Sequence, residues 1–468
     1  MSEKQERAIF CKDIYEIPSI DEFNVEFKLN DTTVVYTRQN QLIVEFFKTI
    51  DSIDSPLEIK RYTRPDLLVI EGILCYFTGH LFTVYEKLSS ETQIVENETN
   101  PSKCVECTIF SLEGSDHSKD LNLLLEKLQD KRFSTLIITL LDRWRKALYM
   151  VSESEVDTFH DEAILTHFHI LELLVSNYYN DFKKEASEEI RRFLTIFSTE
   201  TLNQSGNARE NTINSKLNIL KEVLISDEAS IATKINYFLK RHSMLDERTY
   251  SLVNKIVKIR NSIAHGRMSY KQKLIWPLPP FFNITSGESQ MIISQIQIMT
   301  ARAIALHLGL NSWKEAWEFM HHTLPPSDEV LLNFIKNPNE HKQINGSDLI
   351  AGAYKNITVE SLVDYYIENR SKCSLTELGQ ALSKTLIEVP INEENSELLF
   401  LASVLLCDLD NEQISRISKN NLEIVHKYHW YGYSNIKDIV RYFDFYDIEV
   451  KWLYSWIEQG GHIDARRS

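Results

Sequence analysis

Lys255-Ile256-Val257-Lys258-Ile259-Arg260-Asn261-Ser262-Ile263-Ala264-His265-Gly266-Arg267 is the most informative stretch of this 468-residue chain. At 100° per residue, Val253, Ile256, Val257, Ile259 and Ile263 gather on one face. The pattern predicts an amphipathic helix over 247–265 that packs into a helical bundle. Arg260 falls within about 30° of the centre of the apolar face. A guanidinium placed there requires a carboxylate or a bound anion, because an isolated buried charge is very costly. His265, five residues on, is rotated about 140° from Arg260 and lies nearly opposite the apolar face. Asn261 stands four residues before His265, where its amide can reach the imidazole and fix the tautomer. Ala264 and Gly266 leave the histidine uncrowded.

Outward from this helix, the breakers organise the chain. No proline falls between 102 and 276, and Gly206 is the sole glycine from 115 to 265. A stretch so poor in both is helical by default. Helices are expected over 121–131, 133–151, 162–184, 188–197, 213–225, 230–241, 247–265, 289–308 and 312–321. Trp276-Pro277-Leu278-Pro279-Pro280 interrupts the series, and Pro325-Pro326 closes it.

The flanks differ. Phe23-Asn24-Val25-Glu26-Phe27-Lys28-Leu29 alternates with strand period, and 32–37 and 104–112 are rich in β-branched or aromatic residues. Residues 39–50 are read as a helix. Residues 1–118 are therefore expected to form a β-rich or α+β domain. After the central 119–325, residues 326–468 read as a helical domain, with helices over 348–354, 359–369, 375–387, 396–406, 412–418 and 436–443. Their pairwise spacing suggests a solenoid, although no motif repeats at a fixed period.

Composition bounds the partners. With 51 Lys+Arg against 67 Asp+Glu, the net charge of −16 disfavours coating of the whole surface by nucleic acid. The charge is unevenly placed, however. Residues 234–273 hold ten basic residues against two acidic ones, a local +8 that leaves −24 for the remaining 428. Such a strip is what phosphate recruitment needs, though a solvated helix face would look the same. The longest apolar stretch, near 136–141, is far short of a membrane span, and six cysteines make no disulfide framework. The expectation is a cytoplasmic protein with no membrane association.

Other motifs carry less. Cys104-Val105-Glu106-Cys107 is a lone pair without further zinc ligands. His160, His167 and His169 lack accompanying carboxylate ligands and read as packed or surface histidines. Pro65-Asp66 with Glu71 is similar to a nuclease carboxylate pair, but Gly72-Ile73 stand where a lysine would be needed. The eleven aromatics between Tyr428 and Trp456 read as core or protein-binding surface, since acids outnumber bases among them. No metal and no cofactor is expected.

Arg260-Asn261-Ser262-Ile263-Ala264-His265 resembles the R-x4-6-H motif of the HEPN superfamily, in the R-N-x-x-x-H form followed by glycine. Phe168-His169-Ile170-Leu171-Glu172-Leu173-Leu174 is similar to the acid-bearing helix of ApeA-like and other abortive-infection HEPN proteins. The resemblance, which covers roughly 120–320, implies a HEPN-like helical bundle in the centre; with the β-rich or α+β N-terminal domain and the helical C-terminal domain read above, the expected fold is mostly α. It implies metal-independent RNA cleavage by a homodimer, with Arg260, His265, Asn261 and Glu172 catalytic and Glu172 orienting the arginine. Lys255, Lys258 and Arg267 would bind RNA. The family context suggests a toxin-like effector of antiphage defence, restrained by a regulatory protein or released by a phage-derived trigger. The alternative is a non-catalytic module that binds RNA or protein, with Arg260–Glu172 as a register-fixing ion pair and His265 as a helix-end histidine.

Overall fold

A computed structural model describes residues 6–17, 23–51, 58–82, 87–95, 107–109, 116–152, 159–224, 230–265, 282–341, 343–430, 443 and 446–458. The chain is mostly helical and carries an N-terminal six-stranded antiparallel sheet. It divides into two compact units. The first comprises Met1–Ser243, Ile263–His265 and Gln290–Glu318, and the second Met244–Ser262, Gly266–Ser289 and Phe319–Ser468.

In the first unit the strands are β1 (Glu6–Glu16), β2 (Val25–Asn30), β3 (Thr33–Arg38), β4 (Gln41–Asp51), β5 (Lys87–Val95) and β6 (Thr108–Ile109). Their order in the sheet is β5-β1-β4-β3-β2-β6. β4 occupies the stretch expected to be helical. Its residues Leu42, Ile43, Val44 and Phe46 are all buried, and so short an apolar run, interrupted only by Glu45, has no period to separate strand from helix. The turn decides it. Gln39 and Asn40 take φ of 52° and 59°, the paired left-handed geometry that matches hairpin twist, and they fold β4 back onto β3.

Helix α1 (Ile59–Thr78), which no sequence pattern announced, contains Pro65. Proline removes one helix hydrogen bond and masks the helical signal, while the buried face from Ile70 to Phe77 supplies the packing that outweighs it. Asp66 anchors α1 to the sheet: it accepts from Lys48 Nζ at 2.5 Å, Thr33 Oγ1 at 2.7 Å and Asn30 Nδ2 at 3.2 Å. Glu71 meets Arg145 at 3.5 Å. The two carboxylates that resemble a nuclease pair therefore face separate cations.

α1 packs on α3 (Lys131–Ser152), which follows α2 (Ser118–Gln129) and leads into α4 (His160–Ile196). α4 is one helix of 37 residues where two were expected, because 184–188 holds no breaker. It ends in a π turn, Phe197–Thr201, before α5 (Gly206–Leu224) and α6 (Ile231–Arg241). After α7 (Glu247–Ala264) comes α8 (Phe282–Leu308), which belongs to this unit from Gln290 on, and the loop after it is clamped from two sides. Asp120 Oδ2 accepts from the amides of Asn311 at 2.9 Å and Ser312 at 2.6 Å, and Arg302 Nη1 donates to the carbonyls of 310, 311 and 312. Residues Gln290–Leu308 of α8, not 136–141, form the most membrane-like helix among the described residues, with mean hydropathy 1.3. That segment is 61% buried and serves as a core helix. Its polar residues are mostly uncharged Ser, Gln and Thr, so it shows no continuous apolar run.

α9 (Lys314–Thr323) precedes the helices of the second unit: α10 (Asp328–Lys336), α11 (Gly346–Ala351), α12 (Val359–Glu368), α13 (Leu375–Glu388), α14 (Ser396–Leu406), α15 (Glu412–Tyr428) and α16 (Lys451–Glu458). Caps set their starts. Ser374 and Glu377 form a capping box on α13, and Asn411 caps α15. These helices do not stack as a solenoid, in which each repeat touches only its neighbours. α13 packs against α10, α11, α12, α14 and α15 around one core that includes Leu362, Leu378, Leu399 and Leu422. Cys104, most of the proposed 436–443 helix and the Trp276–Pro280 segment lie outside the described residues.

Candidate nucleic-acid interface

α7 carries the decisive stretch. Its start is fixed by Asp246, which accepts from the Thr249 amide at 2.9 Å and lies 2.9 Å from His321 Nε2. Burial alone would raise the Asp246 carboxyl, but the Thr249 hydrogen bonds and the facing His321 outweigh it and hold the group below its ordinary value. Glu247 adds a hydrogen bond from Ser327 Oγ. Thr249, Leu252, Val253 and Ile256 are buried, while Val257, Ile259 and Ile263 are half-buried.

The sequence-predicted residues take distinct places on it. Arg260 is half-buried, and Lys255, Lys258 and Asn261 are, respectively, exposed, exposed and exposed. His265 is the exposed turn residue just past the helix end. Arg260 Nη1 donates to Asn261 Oδ1 at 3.2 Å. Among the described residues no hydrogen bond joins Asn261 to His265, so the amide serves the guanidinium instead of the imidazole. Arg267 lies outside the described residues, as do Lys271 and Lys273 of the basic strip. Of the strip's other cations, Arg241 is committed to Asp181 at 2.7 Å and to Glu185 at 3.9 Å.

Glu172 sits half-buried midway along α4, in the first unit. One turn before it, His169 Nδ1 lies 3.4 Å from Arg143 Nη1 of α3. No sequence pattern announces this pair. The i,i+3 spacing of His169 and Glu172 was visible, but the approach of α3 was not. His167 is different: it is fully buried, edge-on to Trp144 at 5.3 Å, and burial pushes its imidazole down to about 3. Further along α4, Lys183 Nζ and Lys234 Nζ lie 4.5 and 4.2 Å from the centroid of the Tyr179 ring.

Among the described residues no group of three or more His, Cys, Asp or Glu is arranged to hold a metal ion. Cys107 is a half-buried thiol that burial pushes up to about 11. What α7 offers chemically is a solvent-facing imidazole at a helix end, preceded by a guanidinium whose orientation a neighbouring amide restrains. An imidazole can move a proton near neutral pH, and a guanidinium can bind phosphoryl oxygens with a fixed fork of donors. Comparison with family models, with curated proteins and with solved structures finds no match to this chain.

Proposed function

We propose that the chain is a metal-independent endoribonuclease of the HEPN type, working as a homodimer. The observation that carries this reading is the end of α7, where exposed His265 follows the Arg260–Asn261 pair by less than two turns. RNA brings its own nucleophile, the 2′-OH beside each scissile phosphate. His265 removes the proton from that hydroxyl, or delivers one to the leaving 5′ oxygen. Arg260 stabilises the charge that develops on the phosphoryl oxygens, and Asn261 holds the guanidinium in place. Exposed Lys255 and Lys258 lie on the same helix and draw the phosphate chain toward it. The products are a 2′,3′-cyclic phosphate and a 5′-OH. A cell-killing role in antiphage defence fits this chemistry, with regulation by a second protein or a phage component.

The test is toxicity and RNA decay on expression, both removed by Arg260→Ala and by His265→Ala. The Arg260–Asn261 hydrogen bond also favours a second reading, a non-catalytic RNA-binding module, because it leaves His265 without the orienting amide. RNA binding without cleavage at every pH from about 6 to 9 would select that reading.

A further inference from the structure

His169, Glu172, Ser176, Tyr179 and Lys183 follow one another along α4 at intervals of three and four residues. At 100° per residue they fall within a band of about 80°, over about 21 Å of helix. All five are half-buried or exposed, whereas Ala163, Ile164, Phe168, Leu171, Leu174 and Val175 make the buried face. At one end of the stripe Arg143 Nη1 approaches His169 Nδ1 at 3.4 Å. A guanidinium has donors only, so Nδ1 accepts and the ring proton sits on Nε2. The imidazole therefore presents an N–H. At the other end two ammonium groups share the Tyr179 ring, at 4.5 Å for Lys183 and 4.2 Å for Lys234. Lys234 makes no ion pair among the described residues. Phe182 stacks on Tyr179 with centroids 5.9 Å apart and planes 18° apart. Asp181 and Glu185, which follow Tyr179 on α4, are both engaged by Arg241.

We propose that this stripe binds a single-stranded stretch of RNA. Phosphates meet Arg143 and draw Lys183 and Lys234 off the Tyr179 ring, the His169 Nε2–H donates to a backbone oxygen, and an unpaired base packs on the ring face that the ammonium groups leave. A duplex keeps its base faces stacked internally and offers none to Tyr179. The inference rests on the ribonuclease reading only for the identity of the strand as RNA.

The experiment uses the full chain carrying His265→Ala, so that no strand is cut. Fluorescence anisotropy measures binding of a 2′-O-methylated single strand of about ten nucleotides, and of the duplex of the same sequence. The expected result is tighter binding of the single strand. Tyr179→Ala weakens that binding about tenfold while Tyr179→Phe retains it. Joint Lys183→Glu and Lys234→Glu reversal weakens it at least as much and lowers the salt slope by about 0.7 for each phosphate no longer neutralised. Circular dichroism of each variant distinguishes weaker binding from unfolding. Equal binding of duplex and single strand, or folded variants that bind like the parent, would overturn the proposal. The two readings fail separately. Cleavage that His265→Ala abolishes but stripe reversal leaves untouched keeps the nuclease and removes the stripe. Binding through Tyr179 by a chain that never cuts does the reverse.

Discussion

Arg260 and Asn261, neighbours in sequence, are joined side chain to side chain, Nη1 donating to Oδ1 at 3.2 Å. Adjacent residues on a helix point about 100° apart, so the guanidinium must lie along the helix surface to make this bond. Asn261→Ala is expected to lower kcat about tenfold, the worth of one orienting hydrogen bond, with the pH profile unchanged. Initial rates of RNA cleavage measured across pH check this. A displaced pH limb would mean that the amide acts through His265.

Arg260 itself should act on the transition state. Arg260→Ala is expected to reduce kcat by about 10² to 10³ with little change in KM. Arg260→Lys should recover only a small part, since an ammonium lacks the planar fork that grips two phosphoryl oxygens. Steady-state kinetics on one oligonucleotide separates the two parameters.

His167 sets a pH dependence of stability. Both its ring nitrogens are buried without hydrogen-bond partners among the described residues, and burial depresses its folded-state value to about 3. As pH falls below the ordinary value of about 6.5, the unfolded chain takes up a proton that the folded chain refuses. Stability is thus full above about 6.5 and drains away down to about 3, by about 1.4 kcal/mol per pH unit. His167→Leu removes this contribution without leaving polar atoms unsatisfied. Urea midpoints at pH 8 and pH 5 should show the variant losing about 2 kcal/mol less than the parent over that interval. Parallel losses in the two proteins would refute the assignment.

Gly72 sets the approach of α1 to α3. A Cβ built there would stand 2.9 Å from Leu141 Cβ, closer than carbon atoms tolerate. Gly72→Ala is expected to cost about 1 to 3 kcal/mol by forcing the helices apart, outweighing the helix propensity that alanine adds. Chemical denaturation measures the loss.

The helices differ in how plainly the sequence announces them. α7 was legible because its apolar periodicity agrees with the glycine that follows it, α14 because its apolar run is too long for an ordinary strand, and α13 because Ser374 and Glu377 announce its start. α1 was hidden by Pro65, and β4 by an apolar run that is buried on both faces. α10 was missed although Ser327 caps it, because the preceding Pro325-Pro326 read as a domain end. At the site, the helix positions of Arg260, Asn261 and His265 follow from 100° per residue. That Asn261 takes Arg260 does not follow, since the i,i+4 spacing favours His265. The Arg143–His169 pair joins residues 26 apart on two helices, and no local pattern encodes such an approach.

The most direct test of the nuclease reading is the chemistry of the RNA ends. Purified chain, in excess chelator, is incubated with a 5′-labelled single-stranded RNA, in parallel with His265→Ala, and the fragments are analysed by mass. The expected result is fragments ending in 2′,3′-cyclic phosphate and starting with 5′-OH from the parent, with the rate down by about 10² or more in the variant. Equal cleavage by the two proteins, or fragments bearing 5′-phosphate, would contradict it.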